Sequence, residues 1–162
     1  MKFDPAQPAD VPEILKMIRE LAEFERLAHE CVGTAEELSE SLFSNQPVAA
    51  ALVARVDGHV AGFALYFHSY STFLCRAGIY LEDLFVRPAF RGQGVGKGLL
   101  LAVAQIARAQ TAGRLEWSVL NWNRRAIDFY ESLGARPVDG WTRYRMTAET
   151  LQKIGLRLTT VE

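Results

Sequence analysis

The chain is short of cysteine and histidine and has no long apolar run, and each shortage removes a class of protein. Cys31 and Cys75 stand alone without C-x-x-C spacing, which suits free thiols in a reducing compartment rather than a disulfide framework or a structural zinc site. His29, His59 and His68 are scattered, so no metal-ligating motif emerges. No stretch approaches the roughly 18 uncharged residues of a membrane span. Asp4, Asp10, Glu13, Glu20, Glu23 and Glu25 lie where a secretion signal would carry its apolar core. A cytoplasmic protein without membrane partners is the expectation. Repeats, low-complexity tracts and linker-like segments are also missing, so the 162 residues, 49% hydrophobic and 23% charged, read as a single globular domain with a real core.

Charge is the first positive signal. The net charge of −1 conceals a polarity: residues 1–45 hold ten acidic and four basic side chains, whereas residues 87–125 hold seven basic and one acidic. The second block suits an anionic ligand. The first is either a set of solvated helix faces or the lining of a cleft for a cationic substrate. A sequence pI of about 6.3 and the lack of any recognition motif argue against nucleic acid.

Within the basic block, Arg91-Gly92-Gln93-Gly94-Val95-Gly96-Lys97-Gly98 lies between a strand-like and a helix-like stretch. A glycine loop there brings backbone N–H groups to a phosphate at a helix N-terminus, where the macrodipole also favours negative charge. Two nucleotide motifs fail on spacing. A Walker loop needs Ser or Thr after its lysine and has Gly98 instead, and a dinucleotide fingerprint needs a third glycine where Lys97 or Leu99 stands. Magnesium-dependent nucleotide chemistry is therefore not expected.

Periodicity supplies the surrounding elements. Lys2 to Ala6 reads as a strand, and Val11, Ile14, Leu15, Ile18, Leu21 and Leu27 mark a helix to about residue 27. Thr34 with Glu37 makes a capping box for a second helix ending near Ser44. Val48 to Val56 and His59 to Ser69 flank Asp57-Gly58 as a hairpin, and Gly78 to Val86 is a third long strand. A helix follows from about Gly94 to Ala112, with Val95, Leu99, Val103, Ile106 and Ala107 as its buried stripe. Leu115 to Leu120 reads as a strand, Asn123 to Leu133 as a helix stopped by Gly134, Trp141 to Met146 as a last strand, and Thr147 as the cap of a short terminal helix.

Arg-x-x-Gly-x-Gly at Arg91, Gly94 and Gly96 resembles the acetyl-CoA pyrophosphate loop of the GCN5-related N-acetyltransferase (GNAT) superfamily. The block Asn121-Trp122-Asn123-Arg124-Arg125-Ala126-Ile127-Asp128-Phe129-Tyr130, followed by Gly134-Ala135, is similar to that family's second acetyl-CoA segment. Tyr80-Leu81-Glu82-Asp83, Glu20 to Glu25, Trp122-Asn123 and Gly140-Trp141 resemble the diamine (spermidine/spermine) N-acetyltransferases and their thialysine-acetylating relatives. Differences gather at Ser69 to Arg76 and Arg136 to Asp139. The resemblance implies an α/β GNAT fold: a central mixed, mainly antiparallel sheet flanked by helices and splayed at the acetyl-CoA site. It also implies a homodimer.

Acetyl transfer from a thioester to an amine needs a neutral nucleophile, a polarised carbonyl and a proton for the departing thiolate. Glu82 interrupts an apolar strand and is the leading general base, acting through water, unless a structural ion pair holds it; Asp83, on the opposite face unless a bulge intervenes, ranks below it. By resemblance Tyr130 is the acid, a phenol of pKa about 10 donating to a thiolate of pKa about 8.5; the alternative is a packed aromatic. The N–H groups of Gly92, Gln93, Gly94, Val95, Gly96 and Lys97 are expected to hold the pyrophosphate, with Arg91 adding a charge-assisted contact. The backbone of Leu84, Phe85 and Val86 is expected to pair with the pantetheine amides, Asn123 to touch the same arm, and Arg125 to reach the adenosine phosphates or remain solvated. For the acceptor, Glu25 is the candidate partner of a distal ammonium, with Glu82 and Asp83 at the reacting amine and Phe24 and Trp141 as walls.

These expectations amount to direct acetylation of a small primary amine from acetyl-CoA, with no metal. Thialysine, another amino acid, an aminophosphonate or a peptide N-terminus is the enzymatic alternative. A non-catalytic acyl-CoA sensor is the alternative of another class.

Overall fold

A computed structural model describes residues 1–158. It divides into two compact units, Met1–Ser118 and Val119–Glu162.

The first unit is built on a five-stranded sheet in the order β1 (Lys2–Pro5), β2 (Ala50–Val56), β3 (His59–Ser71), β4 (Arg76–Val86) and β5 (Leu115–Trp117). The pairings from β1 to β4 are antiparallel, and β4 with β5 is parallel. The β2–β3 turn forms as the sequence indicates: Asp57 and Gly58 take φ of 50° and 83°, the doubly left-handed geometry that matches strand twist in a two-residue hairpin.

Helices cover both faces of the sheet. On one lie α1 (Val11–Phe24) and α2 (Ala35–Phe43). Ile14 and Met17 of α1 and Leu42 of α2 join Ala51, Val53, Phe63 and Phe85 from the strands in one buried cluster. Thr34 caps α2 reciprocally, its hydroxyl accepting from Glu37 N–H at 3.2 Å while the Glu37 carboxylate accepts from Thr34 N–H at 2.9 Å. The first helix ends earlier than periodicity indicates. Glu25 is its C-cap, and Arg26 turns to a φ of 63°, so Leu27 lies beyond the helix.

On the other face lies α3 (Val95–Ala109), which buries Val95, Leu99, Leu100, Val103 and Ala107. Its approach to the sheet is closest at Gly98, where a Cβ would sit 2.0 Å from the Phe3 ring. This glycine of the run therefore serves packing.

The second unit contains α4 (Arg124–Ser132) and α5 (Ala148–Leu158). Gly134 follows α4 at a φ of 91°, the left-handed stop expected of it. The expected strand from Trp141 to Met146 does not form; the segment has no regular secondary structure. No strand of the sheet pairs with it among the described residues, and Trp141 and Tyr144 are 81% and 90% exposed.

Candidate active site

Apart from Phe24 and Glu25 at the end of α1, the candidates in the first unit are placed by β4 and its continuation. Strand β5 pairs with β4 only over Ile79 to Leu81, so Glu82 to Val86 has no strand partner on that flank among the described residues. Extended backbone of this kind is suited to an amide-bearing ligand, and Leu84, Phe85 and Val86 lie on it, the Val86 carbonyl already accepting from Arg91 Nε.

The β3–β4 ladder is irregular at the acidic pair. Leu65 faces Asp83 and Tyr66 faces Leu81, which leaves Glu82 as the extra residue of a bulge. One consequence is a change of face. Asp83 and Phe85 share the side on which α1 packs, while Ile79 and Leu81 fall on the side of α3. Another is exposure. Glu82 is exposed and Asp83 half-buried, so the cost of burying a carboxylate falls on Asp83 rather than on Glu82. Burial pushes the Asp83 carboxyl up to about 6, with the negative charges of Glu82 and Glu25 adding to the rise. Glu25, at the C-cap of α1, is itself raised by burial. Three carboxylates thus meet where the strand bulges beneath the end of the helix.

Past Val86 the chain turns toward the helix. Arg87 bonds the Val60 carbonyl at 3.1 Å and pairs with Glu13 at 2.8 Å and Glu20 at 3.3 Å, tying the end of β4 to α1. Gly92 and Gly94 take φ of 78° and 84° with open space where a Cβ would be, so they are glycines for conformation. Gly94 is the N-cap of α3 and supplies no capping side chain. The first bond of the helix runs from Gly98 N–H to the Gly94 carbonyl at 2.9 Å, which leaves the N–H groups of Val95, Gly96 and Lys97 as the orphan donors of a helix start. Gly96 carries only the Val86 side chain nearby, 3.6 Å from its hypothetical Cβ. An uncapped, glycine-lined N-terminus of a 15-residue helix is a fit receptacle for a phosphate.

Arg91 differs from expectation in what its side chain does. Its Nε donates to the Val86 carbonyl at 2.8 Å, and its Cζ lies 5.7 Å from the ring centroids of both Phe24 and Phe85. The guanidinium is a clamp between β4 and the last residue of α1. Nothing in the sequence between these residues signalled that contact.

In the second unit Asn123 is the N-cap of α4, its Oδ1 accepting from Ala126 N–H at 3.3 Å. Tyr130, seven residues on, falls on the same helix face; it is half-buried, with Phe129 5.2 Å away between ring centroids. Arg125 is exposed, and the neighbouring Arg124 pairs with Asp128 at 3.5 Å. No group of three or more His, Cys, Asp or Glu side chains suited to a metal occurs among the described residues.

Comparison with known proteins agrees with this geometry. The model of the acetyltransferase (GNAT) family matches residues 15–135. A thialysine N-epsilon-acetyltransferase of Bos taurus is 38% identical over 160 residues, covering 92% of this chain and 94% of that one. An L-ornithine N5-acetyltransferase of Arabidopsis thaliana is 35% identical, covering 92% of this chain and 85% of that one. The solved structure of an integron cassette protein from the mobile metagenome of V. cholerae superposes with a TM-score of 0.78 at 25% identity, covering 95% of this chain and 96% of that one. Sheet, glycine loop and family match converge: the chain belongs to the GNAT family of acetyltransferases, whose cosubstrate is acetyl-CoA.

Proposed function

We propose that the protein transfers the acetyl group of acetyl-CoA directly to a primary amine of a small cationic acceptor of the diamine or polyamine type. The observation that carries this reading is the approach of Glu25, at the end of α1, to Glu82 and Asp83 on the strand that leads into the glycine loop. Three neighbouring carboxylates repel one another, and a ligand with more than one ammonium relieves that repulsion. From Asp83 to Val86 the strand advances about 10 Å, so an acyl group carried along Leu84 to Val86 ends near the carboxylates when its pyrophosphate rests on the N–H groups of Gly92 to Lys97.

The residues then divide the work. Asp83, with a pKa of about 6, takes the proton of the acceptor ammonium and releases a neutral amine; a base near the operating pH is the most effective kind. This role passes from Glu82, the foremost candidate in sequence, because Glu82 is the exposed residue of the bulge. Glu82 and Glu25 hold the remaining positive charge, and Phe24 walls the acceptor. The amine nitrogen attacks the thioester carbon, the carbon–sulfur bond breaks, Tyr130 donates its phenolic proton to the leaving thiolate, and the second proton lost by the nitrogen as the amide forms returns through solvent to the Tyr130 phenolate. Arg125 and Asn123 contact the cosubstrate. Direct transfer fits the placement of the cysteines: Cys31 and Cys75 lie outside every element of the site. The working form is a cytoplasmic homodimer in which residues 1–162 act as one catalytic domain.

A second reading is favoured by the relatives: an acceptor that is an amino acid with a side-chain amine, such as thialysine or ornithine. A thiol-release screen separates the two. Diamines, polyamines, ornithine, lysine analogues, aminophosphonates and short peptides are offered with acetyl-CoA, and kcat/KM is compared. The diamine reading expects the highest value for an acceptor with two or more ammonium groups and no carboxylate. Preference for the amino acids selects the second reading, and preference for peptides contradicts both.

A further inference from the structure

The side chain of Arg91 meets three partners from two elements. Its Nε–H is spent on the Val86 carbonyl at the end of β4, and its guanidinium stands 5.7 Å from the rings of Phe85 on β4 and Phe24 at the end of α1. A planar cation between two aromatic faces with one donor fixed is a geometry that arginine satisfies and lysine does not. The clamp sits at a junction. On its C-terminal side begin Gly92 and Gly94, which shape the start of α3. Next to Phe24 in the chain is Glu25, the C-cap of α1, whose carboxylate acts on Asp83.

We propose that Arg91 is a positioning residue that couples the two halves of the site, fixing the end of α1, and with it the acceptor-side Phe24 and Glu25, to the strand and loop that receive acetyl-CoA. The proposal rests on the acetyl-transfer reading for its kinetic consequence but not for the clamp itself. A cosubstrate seated on the loop stiffens Arg91, and Arg91 holds α1 in register with β4. The donor and acceptor sites thereby acquire a coupling free energy, which is reciprocal: each ligand tightens the binding of the other. The expected role differs from that of a phosphate contact, in which Arg91 would affect the donor alone.

Arg91→Met and Arg91→Lys test this with two readouts. In hydrogen exchange on the ligand-free protein, the clamp expects both variants to exchange faster over residues 21–27 while the sheet stays protected. In steady-state kinetics with acetyl-CoA and with acetylpantetheine, which has no pyrophosphate, it expects the KM of the amine to rise about tenfold with either donor, the scale of a lost cation–π pair and charged hydrogen bond. Lysine is expected to rescue neither readout. Wild-type exchange over residues 21–27 overturns the proposal. So does a defect confined to acetyl-CoA, spared with acetylpantetheine and repaired by lysine, which marks a phosphate contact. If Arg91→Met does not fold, Arg91→Lys carries both tests. Should the wild-type protein acetylate no amine, the function reading falls while the exchange experiment still decides the clamp.

Discussion

At the scale of single residues, Asp83 and the glycines carry the sharpest expectations. The folded protein holds the Asp83 proton at a pKa of about 6 against 3.8 for a free side chain. Its contribution to stability is therefore complete below about pH 3.8 and is lost as pH rises through about 6. Asp83→Asn keeps the neutral form at every pH, so denaturant titrations are expected to show the variant gaining on wild type between about pH 4 and 7, by at most ~3 kcal/mol. The gain marks a carboxylate kept for function at a cost in stability. On the same account kcat/KM of the wild type rises through about pH 6, and Asp83→Asn falls by about 10²-fold or more and loses that limb; an unchanged profile contradicts the base assignment. The glycines separate by reason. Gly98→Ala collides with the Phe3 ring and is expected to lower the melting temperature. Gly94→Ala meets no neighbour but forces a left-handed φ on alanine at about 1–2 kcal/mol; its larger effect is expected on the KM of acetyl-CoA.

At the scale of elements, the capping box, the Asp57-Gly58 hairpin and the start of α3 form where the local sequence puts them, since each is decided by contacts within a few residues. Thr34→Ala removes the α2 cap and is expected to cost about 1 kcal/mol, measurable as a shift in unfolding midpoint with the slope unchanged. Features that depended on distant partners were not legible. The bulge at Glu82 is a property of the β3–β4 register, and no alternation within β4 reveals which of two adjacent carboxylates is displaced. The Arg91 clamp joins positions 24, 85 and 91, and the Arg87 bridge joins 13, 20 and 87. The strand expected over Trp141 to Met146 does not form for the converse reason: its alternation suggests a strand, but a ladder needs a neighbouring strand, and none pairs with it among the described residues. Tyr130, by contrast, stands on α4 in phase with Asn123, as the second motif implied. If it supplies the thiolate's proton, Tyr130→Phe is expected to lower kcat by about 10²-fold with the fold intact by circular dichroism; turnover unchanged at every pH removes that role.

At the scale of the whole molecule, the charge division read from the sequence finds a physical use in the first unit, where acidic α1 meets the bulge and the basic block begins at the end of β4. No helix is long and apolar enough to cross a membrane among the described residues. The proposed homodimer is checked by light scattering after gel filtration, with a mass twice 18.1 kDa expected. Direct transfer to a small amine is tested by a single-turnover reaction analysed by mass spectrometry. Enzyme in excess of acetyl-CoA is mixed with a diamine and quenched over time. Direct transfer predicts acetylated diamine and free CoA appearing together at equal amounts while the protein keeps its unmodified mass. An acetylated enzyme formed before product, or CoA formed without acetylated amine, contradicts it.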